Sequence, residues 1–400
     1  MTMLNRLVLP LVGMALLSAC APDPQEQFGR ARQAFQAHDY AAARIDLTAA
    51  LKQRPDDPAM LDLLARTQIL LEDGEGARAS LRRLEALGKL PADSAILYGN
   101  SAVLRGQFHE ALDRVAKVNS AEAARIRGLA HVALEEPEAA ARAFAEGLDA
   151  PGPRSALLAA YARFRLENGN IAEAGDLARK ALAESNGELI AWQVLGRIAA
   201  GEGRYAEALS TYEKALKIRP DDVPSLLGKI GALGDLGRVK EIPPLLEKAA
   251  RIAPDNPRVT FFEAMLAFQK RDWAEVRRIL QPKERELEDF PDLQLLYARA
   301  LLEMNQVEQA RAYLSPLLLQ APDNRQARLL LGRAQMAGKD PEGALETLRP
   351  FADDPQAGYE ALALLAQAAR SARDAQEGVY AAMALTAKQS APQPPASPSQ

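Results

Sequence analysis

The order of apolar and polar positions repeats itself along this chain. Its clearest instance runs from Ile190 to Ile218 and closes on Arg219-Pro220-Asp221-Asp222. Counted from residue 189, Trp192, Leu195, Gly196 and Ala199 fall at positions 4, 7, 8 and 11, and Tyr205, Ala208, Tyr212 and Ala215 at positions 17, 20, 24 and 27. These intervals lay apolar stripes along two consecutive helices, with a polar turn between them and Pro220 stopping the second. Such a hairpin is apolar on a face it cannot cover alone, so the pattern predicts hairpins stacked on hairpins. Strands are not expected. The chain is rich in Ala and Leu, has few β-branched residues and is only 5% aromatic, a balance that suits closely packed helices.

The unit recurs every 34 residues. One step forward from Pro220 reaches Pro254 and two more reach Pro322, while steps back from Ala208 reach Ala174 and Ala140. Units begin near residues 24, 58, 92, 121, 155, 189, 223, 257, 291, 325 and 359, eleven in all, within residues 25–388. The third, around Gly106-Gln107-Phe108-His109-Glu110-Ala111, is short by about five residues, so its second helix or the turn after it must be trimmed. Small residues at positions 8 and 20, such as Ala65 with Ala77, Ala162 with Ala174, Gly196 with Ala208 and Gly332 with Ala344, let paired helices approach. Proline near position 32 stops a helix, and the Asp or Asn after it caps the next, as in Pro55-Asp56-Asp57, Pro254-Asp255-Asn256 and Pro322-Asp323-Asn324.

Period and positions together resemble the tetratricopeptide repeat (TPR). The resemblance implies an all-α fold, a right-handed TPR superhelix (α-solenoid) of about eleven helix-turn-helix repeats. It also implies a concave face lined by the first helix of each unit, with positions 2, 5, 9 and 12 pointing into the groove.

The first twenty residues differ from the rest. Arg6 precedes an apolar run, Leu7 to Leu17, which at roughly eleven residues is too short to span a bilayer and reads as a secretion signal. The run ends in Leu17-Ser18-Ala19-Cys20, which resembles the bacterial lipobox. That resemblance implies cleavage after residue 19 and a diacylglycerol on the sulfur of Cys20. The chain has no second cysteine, so a disulfide gives no reason for an exported thiol. Acyl chains gaining about 0.8 kcal/mol per buried methylene would make the attachment effectively permanent. Residues 20–24 are the linker to the first helix, and four residues reach at most about 15 Å, which would hold the first repeat near the bilayer. Ala21, where enteric lipoproteins kept at the inner membrane carry Asp, points to the outer membrane and a periplasm-facing chain. Residues 389–400 are Pro-, Ser- and Gln-rich and are expected to be a disordered tail.

Charge adds little. The 49 basic and 53 acidic side chains are interspersed and leave a formal net charge of −4, which indicates neither nucleic acid nor an acidic bilayer surface as partner. Candidate chemistry fails on context. Gly201-Glu202-Gly203-Arg204-Tyr205-Ala206 has dinucleotide-fingerprint spacing but joins two repeat helices rather than following a strand. His109-Glu110 opens like a zinc-protease motif, yet Asp113 stands where the second histidine is needed. His38, His109 and His131 have no companion at ligand spacing, no nucleophile elbow or phosphate loop occurs, and Glu135-Glu136 and Asp353-Asp354 are turn carboxylates. No enzyme activity, cofactor or metal is expected.

One pattern remains. Position 9 reads Arg32, Arg66, Asn100, Leu129, Arg163, Arg197, Gly231, Met265, Arg299, Arg333 and Gln367 along the array. Between these arginines, positions 5 and 12 offer apolar side chains including Phe28, Phe35, Phe261 and Phe268. The planar guanidinium suits bidentate capture of carboxylates on a partner protein segment, or of an anionic glycan. It equally suits pairing with acids of the neighbouring helix while its stem packs. Asp39-Tyr40-Ala41-Ala42-Ala43-Arg44-Ile45-Asp46-Leu47 and Leu63-Leu64-Ala65-Arg66 resemble repeat lipoproteins of PEP-CTERM/exosortase and exopolysaccharide export systems. The resemblance implies a membrane-anchored scaffold or adaptor in envelope assembly or export; the alternative is an accessory subunit of an envelope enzyme that modifies cell wall or glycan.

Overall fold

The computed structural model describes residues 23–285 and 287–390. Residues 1–22, on which the expected secretion signal and the expected lipid site Cys20 fall, and residues 391–400 lie outside these described residues. The expected all-α repeat fold is present: among the described residues there are 22 α-helices and no strand. The chain divides at Gly203 and Arg204 into two compact units.

The first unit contains α1 (Pro24–Gln36), α2 (Tyr40–Gln53), α3 (Pro58–Leu70), α4 (Gly74–Ala86), α5 (Ser94–Leu104), α6 (Phe108–Val115), α7 (Ala121–Ala133), α8 (Pro137–Gly147), α9 (Ser155–Glu167), α10 (Ile171–Glu184) and α11 (Leu189–Gly201). The odd-numbered helices form a layer in which each touches the next, and the even-numbered helices pack against them. The second unit contains α12 (Tyr205–Ile218), α13 (Val223–Asp235), α14 (Ile242–Ile252), α15 (Pro257–Gln269), α16 (Trp273–Leu280), α17 (Pro291–Glu303), α18 (Val307–Gln320), α19 (Arg325–Ala337), α20 (Pro341–Leu348), α21 (Tyr359–Ala372) and α22 (Glu377–Ser390). Here α15, α17, α19 and α21 make the corresponding layer.

Side chains at the helix starts do what the Pro-Asp signals require. Asp57 accepts from the amides of Ala59 and Met60 at 3.0 and 3.1 Å, Asn256 from Arg258 at 2.9 Å, and Asn324 from Ala327 at 2.9 Å. Each satisfies donors that a helix start leaves open. The short third repeat is short in its second helix: α6 has eight residues where α2 has fourteen. The helices α16 and α20 are equally short, for a different reason. Pro282 and Pro350 follow their last residues, and the chain passes into 3₁₀ turns at Gln281–Lys283 and Arg349–Ala352. At the end, α22 continues through Gln389 and Ser390, because the first residue that blocks a helix is Pro392.

The turn inside every hairpin is built alike. Position 15 is left-handed in all eleven repeats: glycine at 106, 169, 203 and 237, and His38, Glu72, Glu135, Arg271, Asn305, Lys339 and Arg373 at φ between 57° and 61°. In the first hairpin the amides of His38 and Asp39 turn back to the carbonyls of Phe35 and Ala34, closing α1. The apparent fingerprint at 201–206 therefore has a local use, since Gly203, at φ 74°, is the left-handed residue of such a turn.

Close approach sets the core. Ala65, Ala77, Ala162, Ala174, Gly332 and Ala344 are all buried. Phe144 of α8 is wholly buried, its ring 5.3 Å from that of Tyr161 and 5.6 Å from that of Phe164. It fills the space left by Gly128 of α7, where a Cβ would come within 2.4 Å of the ring.

Candidate functional site

In each unit the first helices carry the arginines and aromatics that the sequence singles out, and the structure separates the arginines into held and unheld groups. Arg66 on α3 is locked. Its guanidinium donates two bonds of 2.8 Å to the carboxylate of Asp93, and its Nε donates to Asp62 at 3.1 Å. The hydrogen bonds from Arg66 hold the Asp93 carboxyl below the usual range, and those to Asp93 raise Arg66 itself. Arg333 on α19 pairs with Glu360 of α21. Asn100, at the same position of α5, donates to Glu122 of α7 at 2.9 Å.

Around Glu122 a compact network forms. Arg125 donates to both of its oxygens at 2.7 and 2.8 Å and reaches Asn100 at 2.5 Å. Burial opposes ionisation of Glu122, but the charge and hydrogen bonds of Arg125 outweigh it and keep the carboxyl below the usual range. Burial likewise works against Arg125, and the carboxylate outweighs it. The network ties α5 to α7 with its charges matched, which makes it part of the scaffold.

The remaining position-9 arginines are free of such locks. Arg32 on α1 is exposed and Arg163 on α9 half-buried, and neither has an ion-pair partner among the described residues. Arg197 on α11 is exposed and only 3.7 Å from Glu167, a loose contact across neighbouring first helices. Arg299 on α17 is exposed and lies over the ring of Phe268, 4.8 Å from its centroid. Phe268 also meets Trp273 edge-on at 4.8 Å, so Arg299, Phe268 and Trp273 form one group, while Phe261 of the same helix meets the buried ring of Phe262 edge-on at 5.6 Å.

Position-based reasoning missed the acids that decide which arginines are held. Asp93, Glu122 and Glu360 all stand at position 2 of the repeat after the group they bind, and Arg66 and Asp93 are 27 residues apart, as are Arg333 and Glu360. That spacing is present in the sequence and would have separated the two classes. Where it leads from Arg32, Arg163 and Arg299, the chain has Ala59, Ile190 and Gln326, none of them acidic.

Chemistry elsewhere is sparse. Among the described residues no group of His, Cys, Asp and Glu could hold a metal ion. His38 Nδ1 lies 2.7 Å from the Tyr40 hydroxyl and His131 Nδ1 lies 2.6 Å from Glu136, while His109 is exposed. No helix among the described residues is long and apolar enough to cross a membrane. A cleft of about 650 Å³ borders α14, α15 and α16, where burial raises the Glu263 carboxyl and Arg251, Lys270 and Arg278 line the walls.

One tetratricopeptide-repeat model matches residues 127–189 and 295–357, and a second matches residues 165–230. These stretches are tetratricopeptide repeats, and such repeats generally serve as scaffolds for protein–protein interaction. No curated protein matches the sequence. Among solved structures the chain is similar to the APC/C hetero-tetramer Cut9-Hcn1, at 12% identity over 92% of this chain and 94% of that one, with a TM-score of 0.48. It is also similar to yeast Tom70, at 14% identity over 92% and 96%, TM-score 0.41. A tetratricopeptide repeat protein from Parabacteroides merdae matches at 16% identity over 62% of this chain and 98% of that one, TM-score 0.46.

Proposed function

We propose that the chain is a bacterial lipoprotein, held at a membrane through a lipid on Cys20, that works without catalysis as an adaptor in envelope assembly or export. The observation that carries the binding half of this reading is the split among its arginines. Arg66 is spent on scaffold acids, whereas Arg32 and Arg163 stand on the first-helix face without a partner and Arg197 is held only loosely. Unheld guanidinium groups beside apolar side chains suit an acidic, partly apolar protein segment. Carboxylates give each arginine a two-point contact, and apolar residues fill the space between. The PEP-CTERM and exopolysaccharide export systems are the setting the sequence resemblance supports, with the outer membrane as the surface.

The test has two arms. Metabolic labelling with a fatty acid should mark the wild type and not Cys20→Ala, which should leave the membrane fraction. Pull-down from detergent-solubilised envelopes should recover export or assembly proteins with the wild type and lose them with Arg163→Glu plus Arg197→Glu at unchanged helicity. Equal recovery by the double variant would refute arginine capture, and an unlabelled wild type would refute the anchor.

A further inference from the structure

Nine of the eleven second helices begin at position 17 of their repeat, and α14 is one of the two that do not. Val239–Glu241 form a 3₁₀ turn where its first turn belongs, and α14 starts three residues late, at Ile242. The cause is Pro243-Pro244. Neither residue has an amide, so the carbonyls of Val239 and Lys240 cannot receive the helical bonds that would draw this stretch into α14. The amide of Ile242 turns back to Val239 instead, and Arg238 clasps the turn with bonds of 2.7 and 2.8 Å to Glu241.

The same hairpin is bulky where the others are small. Position 8 is alanine or glycine in every other repeat and is Ile230 here, and position 20 is Ile242; both are buried. Two branched side chains at the crossing stop α13 and α14 from approaching as closely as paired helices with small residues there can. Attachment of α14 to its neighbours is one-sided as well. Lys248 donates to the carbonyl of Pro220, before α13, at 2.6 Å, through a long flexible stem. Among the described residues no side chain of α14 makes a hydrogen bond or ion pair to α15 or α16. The cleft of about 650 Å³ lies on that side, lined by Pro243, Leu246 and Ala250 of α14, Leu266 of α15 and Ile279 of α16.

We infer that α14 is a moving element: it swings about the 3₁₀ turn at 239–241, opening and closing the cleft against α16 while α13 stays joined to α12. The turn absorbs the change in backbone angles, as the end of an element does in a hinge. On the α12 side, Lys229 of α13 donates to Glu213 at 2.9 Å, and the ring of Tyr212 fills the space left by Gly228, where a Cβ would come within 2.3 Å. The movement therefore has a fixed base. It is a property of this chain alone and does not rest on the adaptor reading.

Two measurements on the full chain test this. Cys20→Ala is carried in the spin-labelled chains, so that only introduced cysteines take the label. Labels at Glu247→Cys on α14 and Ala274→Cys on α16, both exposed sites, should give a broad distance distribution by double electron–electron resonance. Ala274→Cys with Gln309→Cys, which joins α16 to α18, should give a narrow one. Hydrogen exchange of the wild type should be about tenfold or more faster in α14 than in α18. Pro243→Ala with Pro244→Ala restores both amides; it should narrow the 247–274 distribution and slow exchange in α14, with no loss of helicity. A 247–274 distribution as narrow as the control's would overturn the inference, as would exchange in α14 no faster than in α18. Because both of these are read on chains that keep the two prolines, the inference stands or falls even if the proline variant does not fold. A folded proline variant with an unchanged distribution would also overturn it.

Discussion

Replacing Gly128 by alanine sets two well-characterised effects against each other. In a helix interior the change should stabilise by about 1 kcal/mol, through helix propensity alone. Here the new Cβ would meet three ring carbons of Phe144 at 2.4 to 2.6 Å. The ring cannot easily retreat, being fully buried and packed on Tyr161 and Phe164. Overpacking of this kind costs roughly 1–3 kcal/mol, and contacts this short belong in the upper half, so the net effect is a loss of about 1–2 kcal/mol. Gly231 of α13 is the internal control: its nearest neighbour would be Phe262 Cζ at 4.0 Å, so Gly231→Ala should gain roughly 0.5–1 kcal/mol. Because stacked hairpins need not unfold as one unit, hydrogen exchange read by mass spectrometry on α7 and α8 is the suitable assay. Exchange there should quicken about 5- to 30-fold in Gly128→Ala. Phe144→Leu in the same chain should return part of the loss, a coupling that a double-mutant cycle isolates. Slower exchange in α7 and α8 after Gly128→Ala would refute the reasoning, since propensity would then have outweighed the ring.

Three further outcomes follow from individual groups. Burial, and then its bond to Glu85 at 3.0 Å, push the Tyr98 phenol up to about 12, above its unfolded value of roughly 10. Its contribution is therefore complete below pH of about 10 and lost as pH rises towards about 12, and Tyr98→Phe should lessen that alkaline loss when exchange in α5 is followed beside tyrosinate absorbance. Asp93, held below the usual range by Arg66, contributes above about pH 4 and loses that contribution as pH falls through its folded value; Arg66→Ala should flatten this acid dependence. The pair is partly exposed and screened, so acid denaturation followed by circular dichroism should show a change of no more than about 1 kcal/mol. Asp57→Ala removes the acceptor for two amides at the start of α3 and should cost about 1 kcal/mol, read as faster exchange in the first turn of that helix.

Much of the architecture is legible because each repeat carries its own punctuation. A proline followed by Asp or Asn marks a junction, and small residues mark where two helices meet, so eleven hairpins can be counted without a structure. The turn inside each hairpin is less legible. Its left-handed residue is glycine in four repeats, but Glu72, Glu135 and Lys339 adopt the same backbone, although nothing in the composition of those turns announces it. The demand comes from the two helices on either side, which leave one way to close the chain, and local preference yields to it. The last hairpin departs from the period for a similar local reason. Arg373 closes α21, and α22 begins at Glu377, two residues later in the repeat than α20 or α18 do in theirs, so Tyr380 and Ala384 become the buried positions and Val379 and Leu385 turn outward.

The arginines show why a face can be read from one sequence while its use cannot be read from positions within one repeat. Position 9 marks a residue on the first-helix face, but whether its guanidinium is available depends on the residue 27 places onward, at the start of the next repeat's first helix. Arg66 meets Asp93 there and Arg333 meets Glu360; Arg32 and Arg163 meet Ala59 and Ile190 in the sequence and remain without ion partners. The relevant unit of reading is thus the junction between repeats. Placing an acid at that junction should capture a free arginine: Ile190→Glu should give Arg163 a partner like the one Asp93 gives Arg66. If Arg163 binds an acidic partner segment, Ile190→Glu should weaken pull-down as Arg163→Glu does, while preserving the arginine and the net of the helix packing. If capture instead persists at wild-type recovery in Ile190→Glu, the unheld state of Arg163 is not what the partner recognises.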